Sequence, residues 1–175
     1  MTVMSRDLND FMIHRASPSD APAIGRAHAA SIREQGPAFY TQDIIDVWGR
    51  DRNPQGYVNQ MENHGEIFFV AQNRLDDPEI LGFGSYIFEQ EKHRLAGLYV
   101  RGTAARRGVA TALLRAVEDV CRANAAKILH VEGSLAAEAF YLKNGFSIVT
   151  RGERLMGGLD NGINIAVVHM KKGLL

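Results

Sequence analysis

A stripe of apolar residues at helical spacing, flanked on both sides by β-rich runs, constrains this chain more than any other feature. Ala110, Leu113, Leu114, Val117, Val120 and Cys121 fall at i, i+3, i+4, i+7, i+10 and i+11, one continuous helical face. Leu95–Val100 precedes the stripe and Ile128–Gly133 follows it. A strand, a helix and a second strand in that order return to one sheet by a crossover. The crossover makes the two strands parallel, and it is right-handed in almost every known case. One face of that helix must then cover the sheet, and the loop that opens the helix must lie at the end of the first strand.

The remaining segments fit around this unit. Phe11–Arg15 reads as a first strand. Ser17-Pro18-Ser19-Asp20 opens a helix, with Ser at the N-cap and Pro at the first helical position, running to about Gln35 with Ile24, Ala27, His28 and Ile32 on one face. Further helical stretches begin near Thr41 and after Asn53-Pro54. The period then changes. Ile67–Gln72, Ile80–Glu89 and Leu95–Val100 are β-rich and joined by short polar turns, as in an antiparallel meander. After the crossover, Ala136–Lys143 reads as a short helix stopped at Asn144-Gly145, and Phe146–Arg151 and Ile163–Met170 as closing strands. The predicted class is α/β with a mixed, mostly antiparallel sheet and helices on its faces. With no repeat or Pro/Gly-rich linker, residues 1–175 read as one domain.

Composition narrows the function. Twenty basic residues offset twenty acidic ones, which argues against a dedicated nucleic-acid binder. The lone Cys121 forms no intramolecular disulfide and no Cys-based zinc site, so no metal is expected, and it reads as a core residue. No apolar run nears the roughly 20 residues of a membrane span, and the first residues lack the layout of a secretory signal. The cytoplasm is the expected location.

The loop after Leu95–Val100 runs Arg101-Gly102-Thr103-Ala104-Ala105-Arg106-Arg107-Gly108-Val109-Ala110-Thr111. The first turn of a helix leaves N–H groups without internal partners, and its dipole attracts anions. Gly108 removes a side chain where a ligand would approach the backbone, and Arg106 and Arg107 add positive charge. These residues fit a pyrophosphate cradle; they fit an ordinary solvated turn equally well.

Gly97-Leu98-Tyr99-Val100, then Arg106-Arg107-Gly108-Val109-Ala110 and Ala112-Leu113-Leu114, resemble the acyl-CoA motif of the GNAT superfamily of N-acetyltransferases. Ala139-Phe140-Tyr141-Leu142-Lys143-Asn144-Gly145-Phe146 resembles that family's second signature. The resemblance spans nearly the whole chain. It implies a GNAT-like fold whose central parallel strands splay, and acetyl-CoA as acyl donor. The backbone amides of Arg107, Gly108, Val109, Ala110 and Thr111 would bind the pyrophosphate, with Arg106 beside them. Leu98, Tyr99 and Val100 would line the pantetheine arm, Leu98 and Val100 pairing with it and the Leu98 N–H facing the thioester carbonyl. Two positions depart from the family pattern, Ala105 in the loop and Ala136 near the second helix.

Acetyl transfer to an amine needs a neutral amine and a protonated leaving thiol, because an alkylamine has a pKa of ~10.4 and a thiol ~8.5. By the resemblance, Tyr141 is the candidate acid near the sulfur; otherwise it is a packed helix tyrosine. Glu132, near the end of its strand, is the candidate base; otherwise it is a solvated strand-end carboxylate. His130 reads as a packed strand residue and His93 as an exposed hairpin residue. Tyr40 and Trp48 either line an acceptor pocket or plug the gap between helices and sheet. The Gly152–Gly162 stretch reads as a long charged connection. The expected partner is a small-molecule or peptide amine, with a homodimer left open. Two other readings remain: an acyl-CoA-binding domain without turnover, and an interaction module using Arg101, Arg106 and Arg107.

Overall fold

The computed structural model describes residues 10–175. Seven strands form one sheet: β1 Phe11–Arg15, β2 Ile67–Asn73, β3 Ile80–Glu89, β4 Lys92–Val100, β5 Ile128–Ser134, β6 Ser147–Met156 and β7 Ile163–Gly173, in the order β1-β2-β3-β4-β5-β7-β6. Only β4 and β5 pair in parallel; the other neighbours are antiparallel. Helices α1 Ala21–Gln35, α2 Gln42–Trp48 and α3 Pro54–Asn63 precede β2, α4 Val109–Ala123 makes the crossover, and α5 Glu138–Lys143 follows β5.

Side-chain alternation divides the core into two layers. Ile24, Ala27 and Tyr57, from α1 and α3, pack with Phe68, Val70 and Phe83 on one face. The stripe of α4 packs on the other, with Leu113 against Ala71, Leu81 and Val100, and Leu114, Val117 and Cys121 against Leu95, Leu129 and Val131. Leu113, Val117 and Cys121 are fully buried, and burial pushes the Cys121 thiol up to about 11, as suits a core residue. Helix α1 is entered through a short 3-10 turn, Pro18–Asp20, where the Ser17 N–H donates to Asp20 Oδ2 at 2.8 Å. Asn53 caps α3, its Oδ1 accepting from the Gln55 N–H at 3.0 Å.

A register shift sits opposite Ser85/Tyr86: Tyr86 pairs with Leu95 and Ser85 with Gly97, so Ala96 is one residue too many in β4. Such a bulge bends its strand. Beyond it the parallel ladder fails, since β4 and β5 are paired only at Arg94–His130 and Leu95–Val131. Leu98, Tyr99 and Val100 therefore run beside β5 without a partner there.

Two expectations need correction. The segment read as the beginning of a long loop after Arg151 continues as strand to Met156. Strand β6 is an edge with nine of its ten residues exposed, so no apolar alternation marked it. His93 lies within β4, half-buried, its Nδ1 2.8 Å from the Tyr86 hydroxyl. Arg151, in the strand as expected, grips Glu138 with two hydrogen bonds of 2.8 Å.

Candidate active site

Where β4 and β5 part, a groove of about 860 Å³ opens. Leu98, Tyr99 and Val100 form its floor, the start of α4 one end, and Ala137, Phe140 and Tyr141 one wall. The Arg101 N–H donates to the Leu81 carbonyl at 2.9 Å, which sets the alternation of the ladder. Arg101 and Tyr99 turn their main chain to β3, while Leu98 and Val100 turn theirs towards the gap. Leu98 and Val100, expected to offer main-chain groups to a ligand, turn those groups to the gap between the strands. Tyr99 lines the groove with its side chain instead. The Val100 carbonyl already accepts from Gln35 Nε2 at 2.5 Å, which leaves its N–H as the open group.

Gly108 caps α4 with a φ of +81°, and no side chain caps that end. A Cβ on Gly108 would meet no neighbouring atom within 4 Å, so the requirement for glycine is conformational. The first intrahelical bond here is donated by Ala112 to the Gly108 carbonyl, so the N–H groups of Val109, Ala110 and Thr111 have no intrahelical acceptor. Arg106, at φ +59°, lines the groove beside them. Arg107 does not. Its guanidinium turns away to pair with Asp10, so its charge is shared rather than free, a correction to the expected pair of cationic side chains.

Tyr141 lies at the groove wall, 3% exposed, and burial raises its hydroxyl pKa, keeping it protonated. Its ring rests on Gly133, where a Cβ would sit 3.0 Å from Tyr141 Cε2. Helix α5 and the strand it packs on are thus held close by the absence of a side chain. Tyr40 is a plug: its hydroxyl donates to the Ala166 carbonyl at 2.9 Å and accepts from the Leu135 N–H at 2.8 Å. Trp48 packs edge-on against it and lines the groove.

A second cavity, of about 530 Å³, lies on the α1 and α3 face of the sheet. Tyr99 lines both cavities, so the two meet across β4. His28, Arg52, Tyr57, Glu66, Ser85 and Arg154 contribute to its wall. Arg52 Nε donates to His28 Nδ1 at 3.0 Å, and the Tyr57 hydroxyl lies 2.8 Å from the same nitrogen. Burial, and then the Arg52 charge, hold His28 well below its ordinary pKa, so the ring is neutral with its proton on Nε2. Nδ1 is thereby occupied and unsuited to take a proton from a substrate.

Glu132 belongs to neither cavity. Its carboxylate is bound by Arg154 at 2.6 Å, with His169 Nδ1 at 3.8 Å. The expected base is thus turned to Arg154 rather than to either cavity. His130 is half-buried; burial first, then Lys92, Lys171 and Arg94, lower its pKa. Sequence reasoning missed Gln35, Lys143 and Ser31 in the groove and every charged group of the second cavity. Among the described residues, no cluster of His, Cys, Asp or Glu could hold a metal ion, and no helix is long and apolar enough to cross a membrane.

The model of the acetyltransferase (GNAT) family matches residues 32–146. No curated protein sequence matches the chain. Among solved structures, a GCN5-related N-acetyltransferase from Rhodopseudomonas palustris is 24% identical, with 99% of each chain covered and a TM-score of 0.80. PaiA N-acetyltransferase from Thermoplasma acidophilum, solved in complex with coenzyme A, is 18% identical over 93% of this chain and 98% of that one, with a TM-score of 0.71. A ribosomal-protein-alanine N-acetyltransferase from Brucella melitensis is 20% identical over 93% and 99%, with a TM-score of 0.67. At such identities these likenesses establish the fold.

Proposed function

Since the chain belongs to the acetyltransferase (GNAT) family, we propose that it is an N-acetyltransferase that holds acetyl-CoA in the groove and acetylates a primary amine in the second cavity. One observation carries this reading: α4 starts uncapped at the end of a strand that has lost its parallel partner. Free amides of Val109, Ala110 and Thr111, with the Arg106 side chain, suit a pyrophosphate. A few residues away, the main-chain groups of Leu98 and the Val100 N–H suit the amides of an extended arm, as an added strand would.

Within this reading each residue has one task. The donor supplies an activated acyl group. The Leu98 N–H donates to the thioester oxygen and gains strength as negative charge develops there. Tyr141 gives its proton to the leaving sulfur; its burial keeps that proton in place at neutral pH and excludes water from the site. Tyr99, between the cavities, separates donor from acceptor except at the point of attack.

Calorimetry tests the first half. The protein should bind CoA and acetyl-CoA, and Gly108→Val should bind both far more weakly. A thiol assay of CoA release across a panel of primary amines tests the second. Binding with no turnover of any amine would leave an acyl-CoA-binding domain, and no binding at all would end the assignment.

A further inference from the structure

Four charged side chains line the second cavity, and among the described residues only two of them have an ion-pair partner. Asp51 is paired with Arg33 at 3.0 Å, and Arg154 with Glu132 at 2.6 Å. Arg52 and Glu66 are in no ion pair among the described residues. Arg52 is half-buried and spends two of its five N–H groups on neutral acceptors, Nη2 on the Trp48 carbonyl at 2.9 Å and Nε on His28 Nδ1 at 3.0 Å. Its charge is held in place by these two bonds and has no carboxylate partner among the described residues. Glu66 is its counterpart. Burial raises its pKa, with Glu89 adding to the effect, against Ser85 and His64. Tyr57 feels the opposite charges of both Arg52 and Glu66, with burial pushing its own hydroxyl up to about 12.

The two charges are also placed in relation to the groove. Phe68 pairs with Ser85 and Ser85 with Gly97, so one row of the sheet crosses from β2 to β4 on the cavity face. Glu66 precedes that row by two residues in sequence, and Glu66, Ser85 and Gly97 all line the cavity. Gly97 adjoins Leu98, whose N–H faces the groove.

We propose that the acceptor is a small zwitterion, an amine carrying its own carboxylate as an α-amino acid does, with its ammonium at Glu66 and its carboxylate at Arg52. This rests on the acetyl-transfer reading and names its substrate class. Glu66 accepts one ammonium proton, directly or through water, and the freed lone pair forms the C–N bond while the C–S bond breaks. Tyr141 protonates the sulfur and recovers a proton from the new amide nitrogen, so the sum is one amide, one thiol and one proton released. Burial raises the Glu66 pKa, which makes its carboxylate a stronger base toward that proton. The groups that set it are Glu89, His64, Ser85 and, beside it, Tyr57.

Steady-state kinetics with two matched pairs, phenylalanine against phenethylamine and lysine against cadaverine, tests the proposal. The carboxylate-bearing member should be preferred by at least ~10-fold in kcat/KM, the scale of one hydrogen bond between charged groups. Arg52→Met should bring the two members within ~2-fold, and Arg52→Lys should retain part of the preference. Glu66→Gln should lower kcat more than ~10-fold and abolish the acid-side limb of the pH profile. Equal rates within the pairs, a preference that survives Arg52→Met, or an acid limb lost in Glu132→Gln and kept in Glu66→Gln would overturn it. Acetyl-CoA calorimetry on each variant shows whether it is folded. Failure of the parent protein to bind acetyl-CoA would sink the transferase reading itself, whereas binding without turnover of any of the four amines would remove only this acceptor class.

Discussion

The two cavities on either side of β4 are made of different material. The groove offers a ligand mainly main-chain polar groups: amides at the start of α4, opened by Gly108, and the edges of Leu98 and Val100. The second cavity is built from side chains of six elements or their flanks, with Arg52 before α3, Glu66 before β2, Ser85 on β3 and Arg154 on β6 among them. A backbone site depends on conformation and tolerates side-chain change, so it suits a donor common to many reactions. A side-chain site can be rewritten one residue at a time, so it suits the choice of acceptor. Ala105 and Ala136 illustrate the first half: both line the groove with a methyl group and remove no amide from it.

Substitutions can break or sharpen this contrast. The largest effect is expected at Gly108→Val. A β-branched residue at φ +81° is strained by roughly 1–2 kcal/mol, and loss of a charge-assisted amide contact adds about 1.5–3 kcal/mol. Together these weaken acetyl-CoA binding on the order of 100- to 1,000-fold by calorimetry, with no change in acceptor preference. Next comes Tyr141→Phe, which should lower kcat more than ~10-fold while KM for acetyl-CoA changes little; an unchanged kcat would remove Tyr141 from the reaction. Gly133→Ala presses a methyl onto the Tyr141 ring at 3.0 Å and should reduce kcat by roughly 3-fold through displacement of that ring, which rapid-quench kinetics would register without a matching loss of donor affinity. The smallest effect belongs to Arg107→Ala. Its guanidinium is turned to Asp10, a surface pair of small energetic weight, so acetyl-CoA affinity should move by less than ~2-fold. A large loss at Arg107 would mean that side-chain charge, rather than backbone, carries the groove.

Much of the fold is legible in the residues themselves. The stripe on α4 and the two flanking β-rich runs predict a parallel pair, and β4 and β5 are that pair. Legibility ends wherever local pattern stops reporting burial. Strand β6 has almost no buried face, so its last five residues pass for loop. The bulge at Ala96 leaves no mark in Gly97-Leu98-Tyr99, because an extra residue is defined only against the partner strand. Glu132 stands on the expected face of β5, yet its partner Arg154 lies 22 residues away on a strand whose register the sequence does not reveal.

From residues alone came the crossover and the anion-seeking start of α4, while the place of Tyr141 came from the resemblance to the family's second signature. The first two depend on neighbours within a few turns of chain, where periodicity and capping act directly. Only the folded molecule decided that Arg107 is spent on Asp10, that Gln35 holds the Val100 carbonyl, and that Arg52 and Glu66 face one cavity without counter-charges. Charge pairing is set by distances through space, and those exist only after helices and strands remote in sequence have been packed together.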